Sequence, residues 1–116
     1  MIETRKVLAK GFEYSFCHER SVHGCEVLCG QKTDDEVWEL ALKLAALCRN
    51  GIYVSFLKEE SGREERARNR FFENGFLDID PGTFDVRFSH SMLEGRKITV
   101  FSLISLQREI ERLFDE

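Results

Sequence analysis

Residues 12–29 read FEYSFCHERSVHGCEVLC, and large apolar side chains recur in this stretch at every second position. Phe12, Tyr14 and Phe16 alternate with polar neighbours, and the same alternation returns near the end of the stretch. Such alternation is typical of strands that bury one face. The polar residues between the two runs predict a turn, so we expect an antiparallel hairpin that closes around residues 20–24.

The same stretch holds three of the four cysteines and two of the three histidines, which raises the question of a metal site. If the hairpin closes through residues 20–23, His18 faces Cys25 and Cys17 points to the opposite face. Cys25 and Cys29 share a face but lie about 13 Å apart along a strand. They are therefore too far apart to hold one ion.

His18, His23 and Cys25 remain as candidate metal ligands. The alternative is that Cys25 and Cys29 are small core residues and that His18 ends a strand. We favour this alternative, with no metal bound, because the sequence offers no carboxylate that would orient the histidines.

Three helices are predicted from their start and stop signals. The capping box TDDE at 33–36 begins a helix that NG at 50–51 ends. A second capping box, SGRE at 61–64, begins a helix that NG at 74–75 ends. Apolar residues at helical spacing predict a third helix from about residue 105 onward.

Two further segments complete the predicted fold. Residues 52–57 read IYVSFL, a short apolar run that favours a central strand buried on both faces. Alternation at 84–88 and 98–100 predicts a second hairpin. We therefore predict one α+β domain over residues 1–116. Its sheet would be a single layer, mixed and mostly antiparallel, of about five to six strands packed by three helices.

Composition and charge narrow the function classes. The chain is 42% hydrophobic and 33% charged, with a net charge of -4 and a pI near 5.5. This balance gives little electrostatic attraction to nucleic acid or to an anionic membrane, so we expect neither as a partner. A protein partner is expected, a basic one is favoured by charge, and a homodimer is left open. The N-terminal sequence shows no apolar run typical of a signal peptide, and we expect a cytoplasmic protein without structural disulfides.

Two surfaces are candidates for binding. Arg63, Arg66 and Arg70 share a helix face and form a candidate clamp for a phosphate or carboxylate, although a solvated charged face is the simpler interpretation. Trp38 and Leu42 lie on a second face of the first helix and are candidate anchors for a protein partner. The alternative is that the sheet and a third helix bury them. The sequence assigns no catalytic residue.

Residues 37–76 read VWELALKLAALCRNGIYVSFLKEESGREERARNRFFENGF. Their predicted order of helix, buried strand and helix resembles the C-terminal half of the GCN5-related N-acetyltransferase (GNAT) family. The most specific part is Ala67 with Gly75-Phe76, which is similar to the family pattern N-x-x-A-x-x-F-Y-x-x-x-G-F. The resemblance implies a GNAT-like fold and an enzyme that uses acetyl-CoA.

The chain departs from the family at positions that carry its chemistry. Glu64 stands where the family commonly has a cofactor-contacting Asn, and Phe71 stands where it often has a Tyr that acts as a general acid. After Gly30, carboxylates at 34–36 occupy the helix start that would receive the cofactor phosphates. We therefore predict a small non-enzymatic binding or regulatory protein with an acidic surface and no cofactor. The alternatives are an acetyl-CoA-dependent N-acetyltransferase-like enzyme and, third, a metal-dependent activity at His18, His23 and Cys25.

Overall fold

The computed structural model describes residues 5–9, 11–49, 52–75, 77, 84–91 and 95–115. Five strands and four helices follow one another along these residues. They are β1 (Arg5–Ala9), β2 (Phe12–Glu19), β3 (Val22–Leu28), α1 (Asp34–Arg49), α2 (Ile52–Lys58), α3 (Arg63–Asn74), β4 (Phe84–Ser91), β5 (Gly95–Ser102) and α4 (Gln107–Asp115). The predicted α+β class is confirmed.

The strands form one sheet in the order β1-β2-β3-β5-β4, and every neighbouring pair is antiparallel. Tyr14, Val27, Ile98 and Phe88 follow one another across four strands and are all buried. They belong to the same core cluster as the buried side chains of the four helices. The helices therefore cover one face of the sheet, and the other face is mostly polar, as is usual for antiparallel sheets, with Leu28 and Phe101 as apolar members.

The first hairpin forms as predicted, but its predicted register was wrong by two residues. β2 extends to Glu19 and β3 begins at Val22, so two residues form the turn, and Arg20 adopts a left-handed φ of 57°. Short turns of this kind match the twist of the strands. His18 consequently faces His23 rather than Cys25. A shift of two residues keeps every side chain on its predicted face, whereas a shift of one would exchange the faces.

Helix α1 begins with the capping box that the sequence predicts. The Glu36 amide donates to the Thr33 hydroxyl at 3.2 Å, and the Thr33 amide donates back to the Glu36 carboxylate at 3.3 Å. These bonds satisfy two backbone donors that a helix start leaves without partners. The predicted end of this helix at residues 50–51 lies outside the described residues.

The strand predicted at 52–57 was wrong, because this segment is helix α2. Leu57 is buried and Val54 is half-buried, while Ser55 and Phe56 are exposed, so the segment buries only one face. A spacing of three between buried residues fits a helix rather than a strand buried on both sides. The sheet still has five strands, because β1, to which no residues were assigned from the sequence, pairs with β2.

Helix α3 starts without its predicted cap and stops at its predicted glycine. Gly62 is the N-cap residue and no side chain caps the helix there, so the expected capping role of Ser61 was wrong. Gly75 ends the helix with φ 86°, and a side chain at this position would lie 2.8 Å from the Phe88 carbonyl oxygen. The Phe88 amide donates to the Gly75 carbonyl at 2.7 Å. Gly75 therefore allows α3 to end directly against β4.

Two aromatic groups attach helices to the sheet. On one side, Phe71 of α3 lies 5.7 Å from Trp38 and 5.2 Å from Phe88 between ring centroids. On the other side, Phe114 of α4 stacks on Tyr14 of β2 at 4.4 Å. Ring contacts of this kind add to the stabilisation that burial already provides. Among the described helices, none has the length and apolar character that crossing a membrane requires.

Candidate functional site

Helix α4 lies between two concave regions with different linings. The first, the histidine cavity, has a volume of about 400 Å³ and lies between α4 and the ends of β2, β3 and β5. The second, the acidic groove, lies between α4 and α1. Because one short helix contributes to both regions, its position on the sheet determines the shape of each.

The histidine cavity is lined by both apolar and polar groups. Its lining includes Phe16, His18, His23, Cys25, Val100, Ser102, Ser105, Leu106, Gln107 and Ile110. Cys25, Val100 and Ile110 are each 2% exposed. The volume of the cavity is within the range of small-molecule sites, which commonly combine apolar walls with a few polar groups.

His18 and His23 form a stacked pair in this cavity. Their ring centroids are 4.2 Å apart and the two rings are nearly parallel, with an angle of 2° between them. The pair arises from the observed register, which places the two residues directly opposite each other across the hairpin. Ser102 continues the same row on β5 and is 4% exposed. The Ile104 amide donates to its hydroxyl at 3.1 Å.

The thiol of Cys25 is a poor nucleophile in this setting. Burial, together with the smaller effects of the neighbouring Cys17 and Glu26, raises its pKa to about 12. Since only a thiolate attacks efficiently, Cys25 is inactive as a nucleophile at neutral pH. Cys17 lies on the opposite face of the hairpin, as predicted, and faces Gly24. All four cysteines are free thiols.

The three candidate metal ligands all line the histidine cavity, as their proximity in sequence suggested. His18 and His23 stack on each other, and Cys25 lies in the next row of the sheet, opposite Phe16. Within the described part of the chain, no three His, Cys, Asp or Glu side chains are grouped so that they could hold a metal ion. The arrangement provides aromatic and hydrogen-bonding surface instead.

The acidic groove consists of two concavities that share Lys43 and Leu113. One has a volume of about 310 Å³ and is lined by Phe12, Asp35, Glu36, Glu39, Leu40, Lys43, Leu113 and Phe114. The other has a volume of about 270 Å³ and adds Ala46, Leu47, Glu109 and Arg112. Leu40 and Phe114 are buried and form the floor, whereas Asp35, Glu36 and Glu39 are exposed along one rim.

The rim carboxylates differ in how strongly other residues of the chain hold them. Asp35 pairs with Arg68 at 2.7 Å, and Glu36 pairs with Lys32 at 3.5 Å. Hydrogen bonds from Thr33 and the charge of Lys32 lower the pKa of the Glu36 carboxyl. Glu39 has no ion-pair partner among the described residues. Glu39 is therefore the rim group best placed to meet a cation from outside.

The candidate arginine clamp is largely occupied by contacts within the chain. Arg63 pairs with Glu60 at 2.6 Å and donates to the Phe56 carbonyl at 2.8 Å. Arg66 pairs with Glu60 at 3.4 Å, and these two arginines lower the pKa of that carboxyl. Arg70 is exposed on the same helix. The face therefore joins α2 to α3, and the structure does not present it as a set of three arginines around an anion site.

The candidate anchors Trp38 and Leu42 are core residues rather than exposed ones. Trp38 is 4% exposed and packs against Phe71, and Leu42 is 6% exposed. The expectation that they form an exposed patch was wrong, and the alternative of burial is confirmed. Helix α1 buries side chains over most of its circumference, so its partly exposed surface is limited to the acidic groove and its flanks.

The start of α1 is occupied by protein groups. Thr33 and Glu36 cap its first turn, and Asp34 pairs with Arg96. The segment that would supply the central strand of a GNAT-like fold is helix α2. The resemblance rested on a predicted order of helix, strand and helix. In the structure this region instead forms three helices.

Comparison of the chain with protein-family models, with curated proteins and with solved structures gives no significant match. The GNAT resemblance therefore stays a prediction from sequence. His18, His23 and Cys25 line one cavity, as their closeness in sequence suggested, but no signal in the sequence indicated the α4 and β5 residues that complete it. The sequence analysis also missed the acidic groove, whose only advance signal was the alternation of acidic and apolar residues along the first three turns of α1.

Proposed function

We propose that the chain is a non-enzymatic binding protein that docks a basic, amphipathic helix of a protein partner in the acidic groove. The observation that carries this proposal is the combination of an apolar floor with three exposed carboxylates along one rim. An apolar groove between two helices is the usual receptor for an amphipathic helix, and unlike charges at its edge favour association with the correct partner.

The length of the groove suits such a partner. Its lining runs along α1 from Asp35 to Leu47, a distance of about 18 Å at ~1.5 Å per residue. A docked helix of three turns would cover this length and place apolar residues at spacings of three and four on the floor. Lysine or arginine beside that stripe would reach Glu39.

Three of the four cysteines are poorly suited to thiol catalysis. Burial raises the pKa of Cys48 to about 12 and that of Cys29 to about 11, as it does for Cys25. These thiols stay protonated at neutral pH and are poor nucleophiles.

The test uses two helical peptides of about 14 residues, which is long enough to span the groove. Both carry the same leucine stripe, and one has lysines and the other glutamates beside it. We expect the lysine peptide to bind at least about tenfold more tightly in fluorescence anisotropy, with the difference decreasing as salt is added. Amide shifts in NMR spectra of the labelled protein should map to the groove.

The matched variants are Glu39→Lys in the groove and Glu73→Lys on α3, because both residues are exposed and undergo the same charge change. Only Glu39→Lys should weaken the binding of the lysine peptide. Equal affinity of the two peptides, or equal loss in the two variants, contradicts the proposal. A dimer of the chain that the peptide does not dissociate would assign the groove to a second copy and would also contradict it.

The acetyl-CoA alternative has a separate test in thermal unfolding. A ligand present at about a hundred times its dissociation constant adds about 2.7 kcal/mol of stability. A clear rise in the melting temperature with millimolar acetyl-CoA, and none with free adenosine diphosphate, would favour the enzyme over the binding protein.

A further inference from the structure

We propose that the histidine cavity is a second, independent site, which binds a small planar organic molecule that is neutral or anionic and has a hydrogen-bond acceptor. This site does not depend on the proposed docking of a helix, because the two regions have no described lining residue in common.

The shape and walls of the cavity suit an apolar ring. A volume of about 400 Å³ is within the range of natural small-molecule sites, which is about 300–1,000 Å³. Buried Val100 and Ile110 provide side walls, and Phe16 provides an aromatic one. A flat apolar ligand could fill this space without exposing the core to water.

The stacked histidines give the site its preference for planar groups. Their parallel rings present a flat aromatic surface beside the cavity, on which a ligand ring can continue the stack. Each neutral imidazole also has one donor and one acceptor nitrogen. Ser102 adds a hydroxyl, which can donate its proton to a ligand atom while its oxygen accepts from the Ile104 amide.

The charge of the lining excludes cations. The chain has 21 Asp and Glu residues, yet among the described residues that line the cavity none carries a carboxylate. A cationic ligand would therefore enter without a counter-charge, at the expense of its hydration. Neutral and anionic ligands meet no described carboxylate in this lining.

Exposed apolar side chains adjoin cavity residues in the chain. Among the described residues, four large hydrophobic side chains are exposed, and three of them adjoin cavity residues in the chain. Val22 precedes His23, while Leu103 and Ile104 follow Ser102 and are 56% and 68% exposed.

Three probes of one shape and different charge test the proposal: 2-naphthoate, 2-naphthol and 2-naphthylmethylammonium. In NMR titrations of the whole chain, we expect the first two to bind at one site with a Kd of about 1 mM or below. The ammonium probe should bind at least about tenfold more weakly. Shifts should map to His18, His23 and Ser102.

The variants His18→Ala and His23→Leu remove the stacked pair, and His90→Ala is the matched control because His90 is an exposed strand histidine outside the cavity lining. We expect each cavity variant to weaken the binding of naphthoate at least about fivefold. The control and Glu39→Lys should leave the affinity for naphthoate unchanged. Unfolding midpoints show whether each variant folds. The proposal is overturned if no probe binds, if the ammonium probe binds equally well, or if the control weakens binding as much as the cavity variants.

Discussion

The histidine cavity and the acidic groove lie on two sides of the same short helix but differ in every property that selects a ligand. The cavity has aromatic and hydroxyl groups and no described carboxylate, whereas the groove has an apolar floor with three carboxylates on its rim. Both regions are lined in part by side chains of α4, so the presence of this helix does not by itself determine what either region can bind. The residues that neighbouring elements bring to each side of α4 determine it.

The largest effect should come from Phe114→Ala, which removes the side chain that fixes α4 between the two regions. Phe114 is 4% exposed and stacks on Tyr14 at 4.4 Å. Truncation of a buried Phe costs about 3–5 kcal/mol. We expect a loss of this size in the free energy of unfolding measured with urea, together with weaker binding at both sites.

Leu103→Ala is the control, because Leu103 is 56% exposed. It should change stability by no more than about 0.5 kcal/mol. If Phe114→Ala affected only one of the two sites, then α4 would not be the element that links them.

A smaller effect distinguishes the two regions at alkaline pH, because the cavity contains a buried thiol and the described lining of the groove contains none. Burial raises the pKa of Cys25 from 9.0 to about 12, so the folded chain retains this proton while the unfolded chain loses it. The contribution of this buried thiol to the free energy of unfolding is fully present below pH 9 and is lost as the pH rises toward 12. The slope is about 1.4 kcal/mol per pH unit for one thiol.

Urea unfolding between pH 8 and 10.5 measures this slope. Cys25→Ala should make the fall in the free energy of unfolding above pH 9 shallower, by the amount that one thiol contributes. Identical pH profiles for the wild type and Cys25→Ala would show that the cavity thiol does not titrate in this way.

The smallest effect concerns the rim of the groove. Thr33→Ala removes the hydroxyl that caps α1 and holds Glu36, and such changes cost about 1 kcal/mol. Ser61→Ala is the matched variant, since Ser61 belongs to the same sequence motif but caps nothing in the structure. It should have almost no effect on the free energy of unfolding.

The same variant reports on the charge of Glu36. Hydrogen bonds from Thr33 lower the pKa of this carboxyl, so Thr33→Ala should raise it toward the ordinary value in an NMR titration. At a pH above the pKa that the Glu36 carboxyl has in the unfolded chain, the lowered pKa stabilises the fold. This stabilisation is lost as the pH falls through the pKa that the carboxyl has in the folded chain. An unchanged pKa in the variant would mean that Lys32 rather than Thr33 controls the rim charge.

Patterns in the sequence predicted the structure correctly where it depends on contacts between residues that are close together in the chain. Thr33 and Glu36 are three residues apart, and their bonds form within one turn, so the start of α1 could be predicted. Alternation placed Cys25 and Cys29 in the core even though the register was shifted by two residues. The faces of a hairpin are fixed by the pattern of side chains, while the pairing depends also on the turn.

Patterns in the sequence did not predict the structure where it depends on contacts with residues far away in the chain. The run at 52–57 is too short for its period to separate a buried strand from a helix, and packing against α1 and α3 makes it helical. The histidine cavity needs Val100, Ser102 and Ile110, which lie more than seventy residues after Cys25 in the chain. Only the pairing of β3 with β5 brings these groups together.

That pairing also determines when the protein can fold during its synthesis. β3 ends at Leu28, but the strand that covers its free edge begins at Gly95. A ribosome adds roughly 5–20 residues per second, so the edge of the first hairpin waits for several seconds before its neighbour emerges. During this interval the hairpin presents unpaired amides and carbonyls beside apolar Cys25 and Val27, which is the state in which strands pair with other chains. Conditions that slow translation of the second half of the chain should therefore reduce the yield of folded protein more than its stability would suggest.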